Sequence, residues 1–249
     1  MIVAQLHKRP VALDRDTHRR LALAVPWSDW SIADGLNSVF LAIGEFQDAC
    51  HDFPILFIRT GDAEPADYAP IAVMGLAPQE NLFVDGGSWR SRYDPVVLRC
   101  YPFGIARLDG DRYAVCIDAG WDGLRPEGDG ERLFDDAGEP TAFTQGIQRQ
   151  LEAFEVDIER TRRAGHRLAE LGLLREMRFD GTLGDGSKVG VDGFFAVDEA
   201  KVRDLPDDAV LALHREGLMA LIHAHWFSLG HMRRLLEWRQ QRLAAAPKD

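Results

Sequence analysis

No run of apolar residues in this chain is long enough to cross a bilayer. A spanning helix needs about 20 of them, and the best window, Pro70 to Pro78, ends within nine. That excludes a permease and membrane insertion. The N-terminus, MIVAQLHKRPVALDRDTHRR, reaches charge within eight residues and has neither an apolar core nor a small-residue cleavage site, so no signal peptide is read. The expected compartment is the cytoplasm, with export by a route that reads no N-terminal signal left open. Cysteine is scarce: Cys50, Cys100 and Cys116 form an odd set without CxxC spacing, which fits reduced thiols better than a disulfide framework. Positive charge is short as well. The 29 Lys and Arg against 40 Asp and Glu leave a formal charge of -11, and a nucleic acid would meet net repulsion.

Chemical signatures are equally sparse. There is no G-x-S-x-G elbow, P-loop or kinase set, and Gly184-Asp-Gly186-Ser-Lys-Val-Gly190 misses the dinucleotide spacing and precedes a strand where a helix is required. His214, His223, His225 and His231 lie within eighteen residues. On a helix, however, His223 and His225 are about 200° apart and His223 and His231 about 12 Å apart, so no pair has zinc-helix spacing. The Gly- and acid-rich segment Trp121 to Pro140 lacks the carboxylate spacing of a calcium loop and reads as a loop or flap. The nearest thing to a basic patch, Arg160, Arg162, Arg163 and Arg167, shares its segment with Glu152, Glu155, Glu159 and Glu170 and reads as a solvated helix face of mixed pairs. No metal and no cofactor are expected, and no residue is assigned a catalytic role.

What is present is an ordinary globular composition, 46% apolar and 28% charged, in a chain long enough to bury a core without staples. Ser38 to His51 carries Phe40, Ile43, Phe46 and Ala49/Cys50 at helix-like spacing and reads as a short helix over its second half, with Asn37 or Ser38 as cap. Pro54 to Thr60 and Pro70 to Ala77 read as buried strands. Asp109-Gly110 reads as a two-residue hairpin turn, which sets Cys116 opposite Phe103 and Cys100 opposite Ala119. Thr141 to Leu171 is the clearest helix, with Gly172 as its left-handed C-cap and Gly165 as a candidate break. Met177 to Val197 reads as two strands around a glycine-rich turn, Asp198 as the cap of a short helix, and Asp207 as the cap of a final helical region that runs to about Leu243 with a break at Gly217. With no repeat and no linker, residues 1–249 are read as one α+β domain: an antiparallel or mixed sheet flanked by one long central helix and a C-terminal helical region.

The least generic stretch is Asn81 to Phe103, NLFVDGGSWRSRYDPVVLRCYPF. Turn chemistry at Asp85-Gly86-Gly87 is followed by Trp89, Arg90, Arg92, Tyr93, Arg99 and Tyr101, the candidate ligand-binding residues. Planar guanidiniums fork onto carboxylates and indole stacks on flat apolar faces, which suits a small molecule, a peptide or a saccharide. The same residues could instead pack the loop onto the sheet.

The segments FPILFIR, AVMGLAPQENLFVDGGSW, Tyr101-Pro102-Phe103, LFDDAGEPT, VDGFFAVDEAKVRDL and the late His225-x-x-Ser228-Leu229 together resemble the SapC family of bacterial proteins, almost end to end. In that family Arg-Arg usually precedes Tyr-Pro-Phe; here Cys100 replaces the second Arg. The resemblance implies a surface-array association and gene neighbourhoods with halogenase-like flavoproteins. The expectation is an accessory or binding protein that supports peptide or saccharide modification or uptake alongside such a flavoprotein. The alternatives are an enzyme acting on a small peptide or sugar derivative, and a surface-layer structural protein.

Overall fold

A computed structural model describes residues 1–25, 28–61, 66–108, 113–126 and 129–245. The chain opens with β1 (Pro10–Ala12), α1 (Arg15–His18), β2 (Ala22–Leu23) and β3 (Ser38–Phe40). Next come α2 (Phe46–Ala49), β4 (Ile55–Thr60), β5 (Asp67–Val73), β6 (Val84–Asp85), β7 (Ser88–Trp89) and α3 (Val96–Arg99). Strands β8 (Phe103–Arg107), β9 (Tyr113–Asp118), β10 (Leu124–Arg125) and β11 (Glu131–Arg132) precede the long helix α4 (Ala142–Glu170). The hairpin of β12 (Leu174–Thr182) and β13 (Lys188–Val197) then leads into α5 (Glu199–Arg203), α6 (Asp207–Arg215), α7 (Leu218–Ser228) and α8 (His231–Ala245). The class is α+β with open antiparallel sheets. Among the described residues no helix is long and apolar enough to cross a membrane.

Two compact units make up the fold: Met1–Ala33, Gly86–Ser88 and Val96–Val156 form the first, and Asp34–Asp85, Trp89–Pro95 and Asp157–Asp249 the second. In the first, β9 lies between β1 and β8. The register differs by one residue from that of a two-residue turn. Phe103 pairs with Ile117, Gly104 with Cys116 and Arg107 with Tyr113, which leaves an odd number of residues in the connection; Asp109 and Gly110 lie outside the described residues. A slip of one residue exchanges the faces of one strand relative to the other. Ile117 therefore joins Phe103 and Ile105 in a core completed by Leu23, Cys100, Leu133, Phe134 and Leu151. Cys100 sits after α3 rather than in the hairpin, and all three cysteines are free and buried.

The Gly- and acid-rich segment is more than a loop. Leu124 and Glu131 both pair with Leu23, and Arg125 and Arg132 both pair with Ala22, so β10 and β11 clasp β2 from its two sides. Two-residue strands carry no periodicity that a sequence reading could use.

The second unit holds a five-stranded sheet in the order β12-β13-β4-β5-β3. The first part of Ser38 to His51 is strand β3, because pairing with Ile71 to Val73 of β5 overrides the helical spacing. Only a 3-10 turn at Ile43–Glu45 and the single turn of α2 follow, so neither Asn37 nor Ser38 is a helix cap. Pro70 sits inside β5, where a missing N–H usually interrupts a ladder. Its carbonyl accepts from Leu41, so the missing donor points to the β3 side, just beyond the last β3 pair, Phe40 with Ile71.

Helix α4 is continuous through Gly165. A Cβ there would collide with the carbonyl oxygen of Tyr68 in β5, so this glycine serves a close approach and not a break. At the helix end, Gly172 is left-handed (φ 62°), its N–H bonds Ala169 O at 2.9 Å, and the Leu173 N–H bonds Leu168 O at 3.0 Å. This is the Schellman pattern, closed by buried Leu168 and Leu173. Gly172→Ala should cost about 1 kcal/mol in a urea melt, and an unchanged midpoint would contradict that role for the glycine. Asp198 caps α5 as expected, accepting from the N–H groups of Ala200 and Lys201. Pro206, not Asp207, is the N-cap of α6, and Gly217 (φ 77°) separates α6 from α7.

Candidate functional site

The six residues singled out in the sequence divide between the two units. Trp89, Arg90, Arg92 and Tyr93 belong to the second, Arg99 and Tyr101 to the first. In the second unit Phe53 and Phe83 stack with centroids 4.3 Å apart, and Trp89 lies 6.2 and 5.6 Å from them. Trp238 of α8 meets Phe83 edge-on at 5.1 Å, and the guanidiniums of Arg90 and Arg234 lie 5.2 and 5.0 Å from the Trp238 centroid. The indole N–H of Trp89 donates to Tyr93 O at 3.3 Å. Arg90 also pairs with Asp85, whose carboxyl it holds below the usual range.

Three further bonds seat the strip after Trp89. The Asp52 carboxylate accepts from the Ser91 hydroxyl at 2.9 Å and from the Arg92 N–H at 3.2 Å. The Tyr93 hydroxyl donates at 2.9 Å to buried Glu45, whose other oxygen accepts from the Ala42 N–H. Trp89, Arg90 and Tyr93 thus have internal work. Arg92 is different: its side chain is exposed, and it has no ion-pair partner among the described residues.

In the first unit Arg99 ends α3 and is exposed. Tyr101 is buried, and its hydroxyl donates to Asp118 at 3.0 Å. Asp118 is fully buried and also accepts from the N–H groups of Lys8, Arg9 and Gly120. Burial pushes the Asp118 pKa up, but these bonds outweigh it and leave the carboxyl below its ordinary value. The Tyr101 hydroxyl is raised by burial and by the neighbouring carboxylate. This pair ties the N-terminal segment to the end of β9.

A second buried polar centre sits in the other unit. The ladder between β13 and β4 rests on the pair Phe195 with Phe57. Two residues further along, Val197 and Ile55 are bridged by α7 instead. The Val197 N–H donates to His225 Nε2 at 3.0 Å, and His225 Nδ1 donates to Ile55 O at 2.7 Å. The Ile55 N–H donates to Ser228 Oγ at 2.9 Å, and Trp226 Nε1 donates to Val197 O at 2.8 Å. All four backbone groups of this rung are therefore satisfied by one helix, and the ring is a neutral imidazole protonated at Nδ1. Burial lowers its pKa to about 4. The other three histidines do not converge on it: His223 bonds Met219 O, His231 bonds Cys50 O, and His214 is exposed.

The outward side of the same helix is unusual. The α7 sequence, LMALIHAHWFS, is apolar nearly all round, as in helices buried on every side. Leu218, Ile222, Ala224, His225 and Ser228 do face inward, yet Phe227 is 75% exposed and Leu211 of α6 46%. Beside them Asp207, Val210, Leu211, His214, Met219 and His223 line an open depression of about 500 Å³.

No curated protein and no solved structure matches the chain. The SapC family model matches residues 13–235, a span that includes the braced strip after Trp89, the Tyr101–Asp118 pair and the His225 rung, so the chain belongs to the SapC family.

Proposed function

We propose that the protein is an accessory binding protein that docks a protein partner on the α6–α7 face and supports peptide or saccharide modification or uptake. The observation that carries this reading is Phe227, a large apolar ring 75% exposed on a helix that is apolar on its other faces too. The ring lies against His223, which with Leu211 and Met219 lines the neighbouring depression; exposed apolar groups gathered in this way mark association sites, and an aromatic is the residue type that dominates their energetics. The partner class, a halogenase-like flavoprotein, is the one that the family's gene neighbourhoods imply. Arg92 would meet an acidic group of the peptide or saccharide. It stands on a strip whose backbone is held by Asp52, Glu45 and the Trp89 ring cluster, and its exposed guanidinium projects from that held backbone.

The test is calorimetric titration of the full chain with the flavoprotein encoded beside it. Phe227→Ser should weaken binding at least tenfold while leaving the melting temperature unchanged, because the ring is exposed. Equal affinity of the variant, or no binding by the wild type, would overturn the reading.

A further inference from the structure

The sequence presents Arg160, Arg163 and Arg167 as part of a helix face of mixed ion pairs, and for part of that face this holds. Arg160 pairs with Asp157 at 2.8 Å and Arg162 with Glu159 at 2.9 Å. The other two depart from it. Arg163 is exposed and has no ion-pair partner among the described residues. Arg167 reaches Glu170 and Glu216 only at 3.4 Å, and its Nε is buried without a hydrogen bond.

The spacing of 160, 163 and 167 puts these three guanidiniums on one face of α4. They line an open groove of about 420 Å³ with Glu216, Ile43, Ala164 and Leu218. The lining itself holds three cations and one carboxylate; Asp157 and Glu170 pair with Arg160 and Arg167 beside it, and Arg163 is the cation left over, in a protein whose formal charge is -11. The groove floor is apolar. It continues into an apolar space that shares Ile43, Ala164 and Leu218 and is walled by Phe46, Phe57 and Leu168. That inner space is only about 10 Å³, so an apolar group would lie along the floor and not inside it.

We propose that this groove binds a small ligand consisting of an oxyanion head, carboxylate or phosphate, on a short apolar body. Arg163 and Arg167 supply planar forks that match either oxyanion. The oxyanion would also give the buried Arg167 Nε a hydrogen bond, which the Glu216 carboxylate at 3.4 Å does not supply. Ile43, Ala164 and Leu218 supply the apolar contact that such sites commonly combine with a few polar groups. The proposal is independent of partner docking and concerns a different surface.

The probe is octanoate, kept below its micelle concentration and titrated into the full chain by calorimetry, with chemical-shift mapping of α4. Octanoate should bind, with the largest shifts at residues 160 to 167. Acetate, which has the head alone, and octyl glucoside, which has an apolar tail without charge, should each bind at least tenfold more weakly. Arg163→Glu should reduce octanoate affinity at least tenfold, whereas Phe227→Ser should leave it unchanged. Octyl phosphate in place of octanoate distinguishes the two heads: the tighter binder identifies the preferred one. Absence of octanoate binding, equal binding of octyl glucoside, or full affinity in Arg163→Glu would each overturn the proposal.

Discussion

His225→Leu should lower the stability of the protein by about 3 kcal/mol. The leucine fills a similar space but leaves the Val197 N–H and the Ile55 carbonyl buried without partners, and each such orphan costs about 1–3 kcal/mol. In a chain of this size that corresponds to a fall in melting temperature of roughly 10 °C. A second signature separates the polar role of the ring from its packing. Burial holds the imidazole neutral in the fold, with a pKa of about 4 against the ordinary 6.5. Because the folded pKa is depressed, the stabilisation is complete above pH 6.5 and is lost as the pH falls from 6.5 towards 4. The full difference is worth roughly 3 kcal/mol. Wild type should therefore lose stability across that window more steeply than His225→Leu, in which the group is absent. Carboxylates held low in the fold, Asp118 among them, act at lower pH and in both proteins alike. Parallel stability profiles between pH 7 and 4 would mean that the ring does not stay neutral in the folded chain.

Gly165→Ala should also destabilise, by about 2–3 kcal/mol, against the sign expected from helix propensity alone. In an open helix the change would gain about 1 kcal/mol. At this position a Cβ meets the Tyr68 carbonyl oxygen, part of a strand backbone and not the movable end of a side chain, and relief requires α4 and β5 to separate. The same helix contains a control. Gly146 has nothing within 4 Å of an added Cβ, so Gly146→Ala should be neutral or stabilising by up to about 1 kcal/mol. Urea melts of the two variants should move in opposite directions. A Gly165→Ala protein as stable as Gly146→Ala would show that helix and strand do not approach this closely.

The parts of the fold legible in sequence were those governed by local chemistry. The stripe of α4, the glycine after it, the Asp198 cap and the β12–β13 hairpin all depend on residues a few positions apart. The features missed depend on distant partners. The β8–β9 register turned on the length of one connection, and the strand at Ser38–Phe40 follows from β5, some thirty residues later. The same holds at the candidate site. Aromatic and guanidinium side chains around Trp89 were conspicuous, but Asp52, Glu45 and Trp238, which brace them, lie far away in the chain. A histidine within an apolar helical stripe signals burial. That its two nitrogens end on strands 28 and 170 residues away leaves no local trace. Phe227 and Arg163 have the opposite difficulty, since an exposed ring, or a cation with no ion-pair partner among the described residues, looks in sequence like one that is buried or paired.

The ends of the five-stranded sheet bear on how copies of this chain can meet. At one side β12 is an edge strand nine residues long, a length on which another chain could add a strand by backbone pairing. Its exposed positions carry Arg175, Glu176, Arg178 and Asp180, charges that a neighbouring strand would have to strip of water. At the other side β3 ends after three residues, and Pro70 offers no donor beyond it. Both edges thus resist runaway polymerisation by strand addition. An ordered array of this protein that grew through the second unit would use its helical or loop surfaces, leaving the five-stranded sheet out of its lattice.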